Sequence, residues 1–209
     1  MDVVYLLIVL GVILVSMILH ELMHGMMAHW LGDDTAKDSG RLSLNPLKHI
    51  DPFMSILLPM ILAVSGGPIF GGAKPVPIDS RRLKWGEWGM ALVAIVGPLT
   101  NFLIAFVAFL IGHFSGLLYQ LDYVGTIFQG FVFINLGFCI FNLLPIPPLD
   151  GSRVLYALAP GGVQRAMASM ERYGIMIVFL LIMVFGGVFS GIMTGAMTGI
   201  LQFFEWVVK

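Results

Sequence analysis

The chain has one cysteine among 209 residues, so no intrachain disulfide can form. Cys139 lies in the apolar run Ile127 to Leu144, where it reads as a buried, inert thiol. Charge is scarce as well: Asp, Glu, Lys and Arg make up 11% of the residues, the net charge is −1, and no dense basic run is present. That balance excludes nucleic acid as a partner. The first apolar run also lacks what a secretory leader needs. Asp2 stands where a basic flank belongs, and no small-x-small cleavage site follows. The segment therefore reads as a retained transmembrane helix.

What the chain has in quantity is apolar surface. Hydrophobic residues make up 58% of it and the mean hydropathy is +0.95, which identifies an integral membrane protein with the lipid bilayer as its surroundings. Apolar runs at Val3 to Leu31, Pro52 to Phe70, Trp88 to Ile111, Ile127 to Leu144 and Gly174 to Val208 predict an α-helical multi-pass fold. About four to five transmembrane helices are expected, in a single domain over residues 1–209. The last run would extend about 52 Å as one helix, against a hydrocarbon core of roughly 30 Å. It is either two elements or one helix that projects beyond the core. Gly187, Gly191, Gly195 and Gly199 form a small-xxx-small ladder in it, suited to close helix packing.

The basic residues set the topology. Segments Gly32 to Asp51, Gly71 to Glu87 and Pro145 to Tyr173 hold all but one of the 11 Lys and Arg residues, whereas Gly112 to Thr126 holds none. The positive-inside rule places those three segments in the cytoplasm and the N-terminus outside. Pro52 to Phe70 must then enter and leave by one face. Its Pro59, Gly66, Gly67 and Pro68 favour a re-entrant or β-like segment between the first and second full spans; a spanning helix is the rival reading. Trp30, Trp85, Trp88 and Trp206 flank apolar runs, as interfacial anchors do.

Within the first helix lies His20-Glu21-Leu22-Met23-His24. At about 100° and 1.5 Å per residue, His20 and His24 fall one turn apart on nearly one face, so their imidazoles can converge on one cation, with Glu21 beside them. Two neutral imidazoles and a third protein ligand hold zinc with one position open to water, and a neighbouring Glu can serve as the base. Ionisable side chains at membrane depth cost at least about 2.5 to 3.5 kcal/mol each, so this cluster demands partners or a function.

A second signal is Asn142-Leu143-Leu144-Pro145-Ile146-Pro147-Pro148-Leu149-Asp150-Gly151. Three prolines in four positions end the preceding helix and predict an extended path. That path either carries Asp150 back to the histidines or forms an ordinary surface turn with Asp150 solvated.

Together the two motifs resemble the site-2 protease class of intramembrane zinc metalloproteases, which pairs HExxH with a later N-x-x-P-x-P-x-x-DG type segment. The resemblance covers residues 1–173, leaving 174–209 as a glycine-rich helical region, and implies one membrane-embedded protease domain. It implies that His20, His24 and Asp150 hold one zinc ion and that Glu21 is the catalytic base. For Asn142 it implies a role in positioning substrate or stabilising an oxyanion; the alternative is a helix–helix hydrogen bond. Gly97-Pro98-Leu99-Thr100-Asn101 is similar to the class's GPxxN segment, where Asn101 either faces the site or serves packing. Ser65 to Asp79 resembles the class's membrane-associated β region, whose edge could pair with an unwound substrate; a turn-rich loop is the alternative. The chain departs from larger members in leaving no loop long enough for a PDZ domain and no soluble regulatory domain.

The expected function is hydrolysis of a transmembrane segment in a membrane-protein substrate, near the cytoplasmic side of a prokaryotic inner membrane. Two rivals are a metal or proton transporter lined by the same ionisable residues, and an inactive relative that binds membrane proteins without cutting them. His29 reads as interfacial, and His49 and His113 have no partner pattern.

Overall fold

The computed structural model describes residues 3–50 and 74–209. The described residues form helices, turns and irregular segments without strands. Pro52 to Phe70 and most of Ser65 to Asp79 lie outside the described residues. At the described edges, the Lys74 N–H donates to the His49 carbonyl at 2.9 Å, so the chain resumes where it left off.

Among the described residues, four helices are long and apolar enough to span a membrane. Helix α1 (Val3–Trp30) is followed by the short α2 (Thr35–Asp38). Helices α3 (Glu87–Phe114) and α4 (Tyr123–Asn142) complete an antiparallel core. Two shorter helices, α5 (Asp150–Leu158) and α6 (Gly161–Glu171), lead into α7 (Gly174–Val207). Helix α1 has 28 residues, a length of about 42 Å, and no proline interrupts it. It ends where Gly32 adopts φ 103°, a left-handed conformation that stops a helix at little cost.

The buried residues of α1 include Val12, Ser16, His20, His24 and Ala28, each four positions after the last. Helix α3 answers with a second such row, Gly89, Val93, Gly97, Asn101 and Ala105, all buried. Residues four apart form a ridge on a helix, and two such ridges interlock at short range when their residues are small. The ridge of α1 thereby carries its polar members into the interior, against α3, while Leu6, Leu7, Leu10 and Val15 face outward.

Helix α7 spans 34 residues but is broken at Phe185, whose φ −114° and ψ 25° are non-helical, so two helical segments join there. This is the two-element outcome for the run expected to be either two elements or one long helix. Its start is buried at Gly174 and Val178, with Gly174 set against Pro148. The ring of Phe189 lies 6.0 Å from that of Phe141, and the C-terminal part of α7 docks in the bundle core. Phe204 is fully buried in a cluster with Ala105, Phe109, Val132 and Leu136, its ring 4.9 Å from that of Phe106 and 5.4 Å from those of Phe102 and Phe109. The glycine ladder contacts no described residue within 4 Å of where a Cβ would project, so it packs no helix of the described chain. Trp30, Trp85, Trp88 and Trp206 are all exposed near the ends of spanning helices.

Candidate metal centre

Both HExxH imidazoles are buried, with 7% of His20 and 6% of His24 exposed. Their rings meet edge to face with centroids 4.6 Å apart. Across from them on α3 stands Gly97, where a Cβ would lie 2.4 Å from His24 Nε2 and 2.7 Å from His20 Cε1. Only a residue without a side chain leaves room for the two rings. His24 Nδ1 donates to the Val93 carbonyl at 2.7 Å. A carbonyl can only accept, so the neutral ring carries its hydrogen on Nδ1 and turns the Nε2 lone pair inward. His20 Nδ1 lies 2.6 Å from Asn101 Oδ1.

The proline-rich segment does not follow the extended path that three prolines in four positions predict. The amides of Ile146 and Leu149 close turns onto the carbonyls of Leu144 and Ile146, because prolines forbid helix but leave these two donors free to bond locally. The result is a compact reversal packed on the end of α4. Gly151 makes it possible, since a Cβ there would lie 2.1 Å from the Leu143 carbonyl oxygen. The reversal sets Asp150 at the start of α5, with its Oδ2 at 3.2 Å from His20 Nε2 and 3.4 Å from His24 Nε2.

The three donor atoms form a small triangle, its third side the 3.0 Å between the two Nε2 atoms. Asp150 Oδ2 is buried without a hydrogen-bond partner. Lone pairs from two rings and a carboxylate aimed at one point leave that polar atom uncompensated unless a cation shares it. A tetrahedral zinc with bonds of about 2.0 Å sets its ligand atoms roughly 3.3 Å apart, which matches the observed sides. Among the described residues, His20, His24 and Asp150 are the group able to hold a metal ion.

Glu21 and Asn142 line the same cavity of about 350 Å³, together with Pro75, Val76 and Arg153. Glu21 Oε2 accepts a hydrogen bond from the Val76 backbone at 2.9 Å. Asn142 donates to the Phe138 carbonyl of its own helix at 3.1 Å rather than to another helix, which leaves its amide one more hydrogen for the cavity.

The segment Lys74–Asp79 is held on three sides. Arg41 donates to the carbonyls of Lys74 at 2.6 Å and Pro75 at 3.2 Å, Glu21 takes the Val76 amide, and buried Asp33 accepts from the Asp79 amide at 2.7 Å. Pro75 and Pro77 have no amide hydrogen. The described part of the expected pairing edge therefore has its donors spent on the protein, with Ile78 as the remaining one.

Other histidines have partners elsewhere: His29 pairs with Asp34 at 2.5 Å, buried His49 donates from Nε2 to the Ser43 carbonyl while its Nδ1 has no hydrogen-bond partner among the described residues, and His113 bonds Tyr119. Sequence reasoning left Asn101 open between site and packing, and it lies against His20. It did not identify Gly97, Ser16 or Asn135 as neighbours of the site. The four-residue spacing of Gly97 and Asn101, matching that of His20 and His24, was the available signal for the α3 side.

Comparison with known proteins supports a zinc metalloprotease. The model of "Peptidase family M50" matches residues 118–185. "Putative zinc metalloprotease YwhC" of Bacillus subtilis is 41% identical over 178 residues, covering 82% of this chain and 78% of the relative. "Putative zinc metalloprotease Rip2" of Mycolicibacterium smegmatis is 32% identical over 170 residues, 81% of this chain. The match spans 64% of that longer relative. No solved structure matches the chain significantly. With a helical membrane core and a relative this similar over most of both lengths, the chain belongs to peptidase family M50, the site-2 protease family of zinc metalloproteases.

Proposed function

We propose that this metalloprotease is an intramembrane endopeptidase that cleaves transmembrane segments of other membrane proteins near the cytoplasmic side of a bacterial inner membrane. In this reading residues 1–209 act as one protease domain, His20, His24 and Asp150 hold one zinc ion, and Glu21 and Asn142 are catalytic. The observation that carries it is the convergence of two distant motifs on one cavity: Asp150 Oδ2 within 3.4 Å of both imidazoles, with Glu21 and Asn142 in the same walls.

When bound, zinc supplies Lewis acidity toward the scissile carbonyl and toward water. Glu21 takes the proton of the attacking water and delivers it to the leaving amine, a role that needs a carboxylate at the cavity wall with one oxygen uncommitted. Its Oε2 accepts from Val76, which fixes the side chain and leaves the other oxygen for the proton. Asn142 offers its second amide hydrogen to the oxyanion of the tetrahedral intermediate. A substrate helix must unwind before it can enter, because its carbonyls are bonded within the helix.

Comparison of membrane proteomes from wild-type and Glu21→Gln cells tests this. A full-length membrane protein should accumulate only in the mutant, and the purified pair should differ by about 100-fold or more in cleaving it, the scale of a lost general base. Equal cleavage by both would overturn the reading.

A further inference from the structure

Beyond the direct ligands, a line of buried polar side chains crosses from α3 through α4 and back to α1. Ser16, Asn101 and Asn135 are each fully buried. Asn135 Nδ2 lies 2.9 Å from the Phe131 carbonyl oxygen and 2.8 Å from Ser16 Oγ. Asn135 Oδ1 is 2.8 Å from Asn101 Nδ2, which also lies 3.5 Å from the Ser16 carbonyl oxygen. At the other end, Asn101 Oδ1 meets His20 Nδ1 at 2.6 Å.

The direction of every bond in this line follows from its backbone anchors. The Phe131 carbonyl can only accept, so the Asn135 amide nitrogen must face it and the Asn135 oxygen must face Asn101. Asn101 then has to present its nitrogen to Asn135 and to the Ser16 carbonyl, and its oxygen to His20. Turning either amide alone sets like groups against each other, and turning both sets an oxygen against each backbone carbonyl; buried polar atoms left so cost about 1–3 kcal/mol each. His20 therefore receives an acceptor at Nδ1 and must carry its hydrogen there, which leaves the Nε2 lone pair pointing toward Asp150.

We propose that Asn135 and Asn101 are positioning residues that lock the His20 tautomer for zinc, with the backbone carbonyl of Phe131 as the fixed reference. His24 reaches the same state by donating directly to the Val93 carbonyl. The two ligands thus use different devices, and only that of His20 depends on side chains from two other helices. This inference rests on the assignment of His20 as a ligand.

The test measures zinc affinity of the full-length chain in detergent by competition with a chelator. The variants are Asn135→Leu, Asn135→Asp and His20→Ala. Asn135→Leu removes the acceptor that orients Asn101 and should lower zinc affinity about 10- to 100-fold, as lost outer partners of zinc-binding histidines do. Asn135→Asp keeps an acceptor toward Asn101 and should remain within about threefold of wild type, well short of that loss. A purely structural role predicts the reverse ranking, because burying a carboxyl group costs more stability than burying leucine; thermal unfolding of the zinc-free variants supplies that ranking. Nitrogen chemical shifts of labelled histidine should show His20 with its hydrogen on Nδ1 in the zinc-free wild type, and a mixture of tautomers in Asn135→Leu. Zinc affinity that follows the stability ranking, or is unchanged in Asn135→Leu while lost in His20→Ala, would overturn the relay alone. Retention of zinc by His20→Ala would overturn the ligand assignment beneath it.

Discussion

Gly97 shows how strictly the centre is packed at the level of single residues. It is the position on α3 where a Cβ would come within 2.4 Å of the His24 ring and 2.7 Å of the His20 ring. The contacts are with ring atoms held from behind by Val93 and Asn101, so neither imidazole can retreat without breaking its Nδ1 bond. Gly97→Ala should therefore act on the ligands rather than on the helix, where alanine is favoured over glycine by about 1 kcal/mol. We expect helical content to stay at the wild-type level while zinc content after purification falls by about tenfold, a loss typical of displaced histidine support. Metal analysis beside circular dichroism checks this. Full zinc occupancy in Gly97→Ala would mean that the rings have more freedom than these distances allow. Glycines of the α7 ladder make a useful contrast: a Cβ at Gly187, Gly191, Gly195 or Gly199 would meet no other described side chain or neighbouring element within 4 Å, and alanine there should leave zinc unchanged.

At the scale of elements, Lys74–Asp79 gains its shape from what holds it rather than from its own pairing. Asp33 is fully buried and accepts from the Thr35 amide and hydroxyl as well as from the Asp79 amide. It joins the end of α1 to the segment that places Val76 over Glu21. Asp33→Ala removes hydrogen bonds to a charged group, worth about 1.5–3 kcal/mol each, and strands the Asp79 amide. Hydrogen exchange at Val76 and Asp79 should accelerate by at least about tenfold, the factor set by 1.4 kcal/mol, while exchange in α3 and α4 stays as in wild type. Unchanged exchange at Asp79 would show that the segment is held by Arg41 and Glu21 alone. This part of the architecture was the least legible in the sequence. The spanning helices could be read because long apolar runs have no other use, and the ligand motifs because His and Asp at membrane depth are costly. The turn at Leu143 to Leu149 was legible only as the end of a helix, because prolines state where a helix ends and not which local bonds replace it. Asn135 carried no signal at all: a lone asparagine in an apolar run acquires meaning only when Ser16 and Asn101, distant in the chain, arrive beside it.

Across the whole molecule, charge and chemistry collect at one end of the bundle. The Leu31 carbonyl accepts from Lys84, Arg41 holds Lys74 and Pro75, and Asp150 joins the histidines of α1. All Lys and Arg residues except Lys209 lie in the segments at this end. The opposite end holds the turn between α3 and α4, where Leu121 is fully exposed, and Val208 packs there with Leu118 and Phe109. With four described spans, Val3 and Val207 thus lie at the end away from the metal centre. If the basic end faces the cytoplasm, as the positive-inside rule requires, a membrane-impermeant thiol reagent applied to intact cells should label cysteines at Leu121 and Lys209 and spare one at Lys84. A Cys139→Ser background removes the native thiol, which is buried in any case. Permeabilising the cells should then expose the Lys84 position. Labelling of Lys84 before permeabilisation, with Leu121 protected, would invert the molecule and move the cleavage site to the outer half of the bilayer. Labelling of Leu121 without Lys209 would instead mean that α7 does not cross, despite its length of about 51 Å and the seat of Phe204 among Phe102, Phe106 and Phe109.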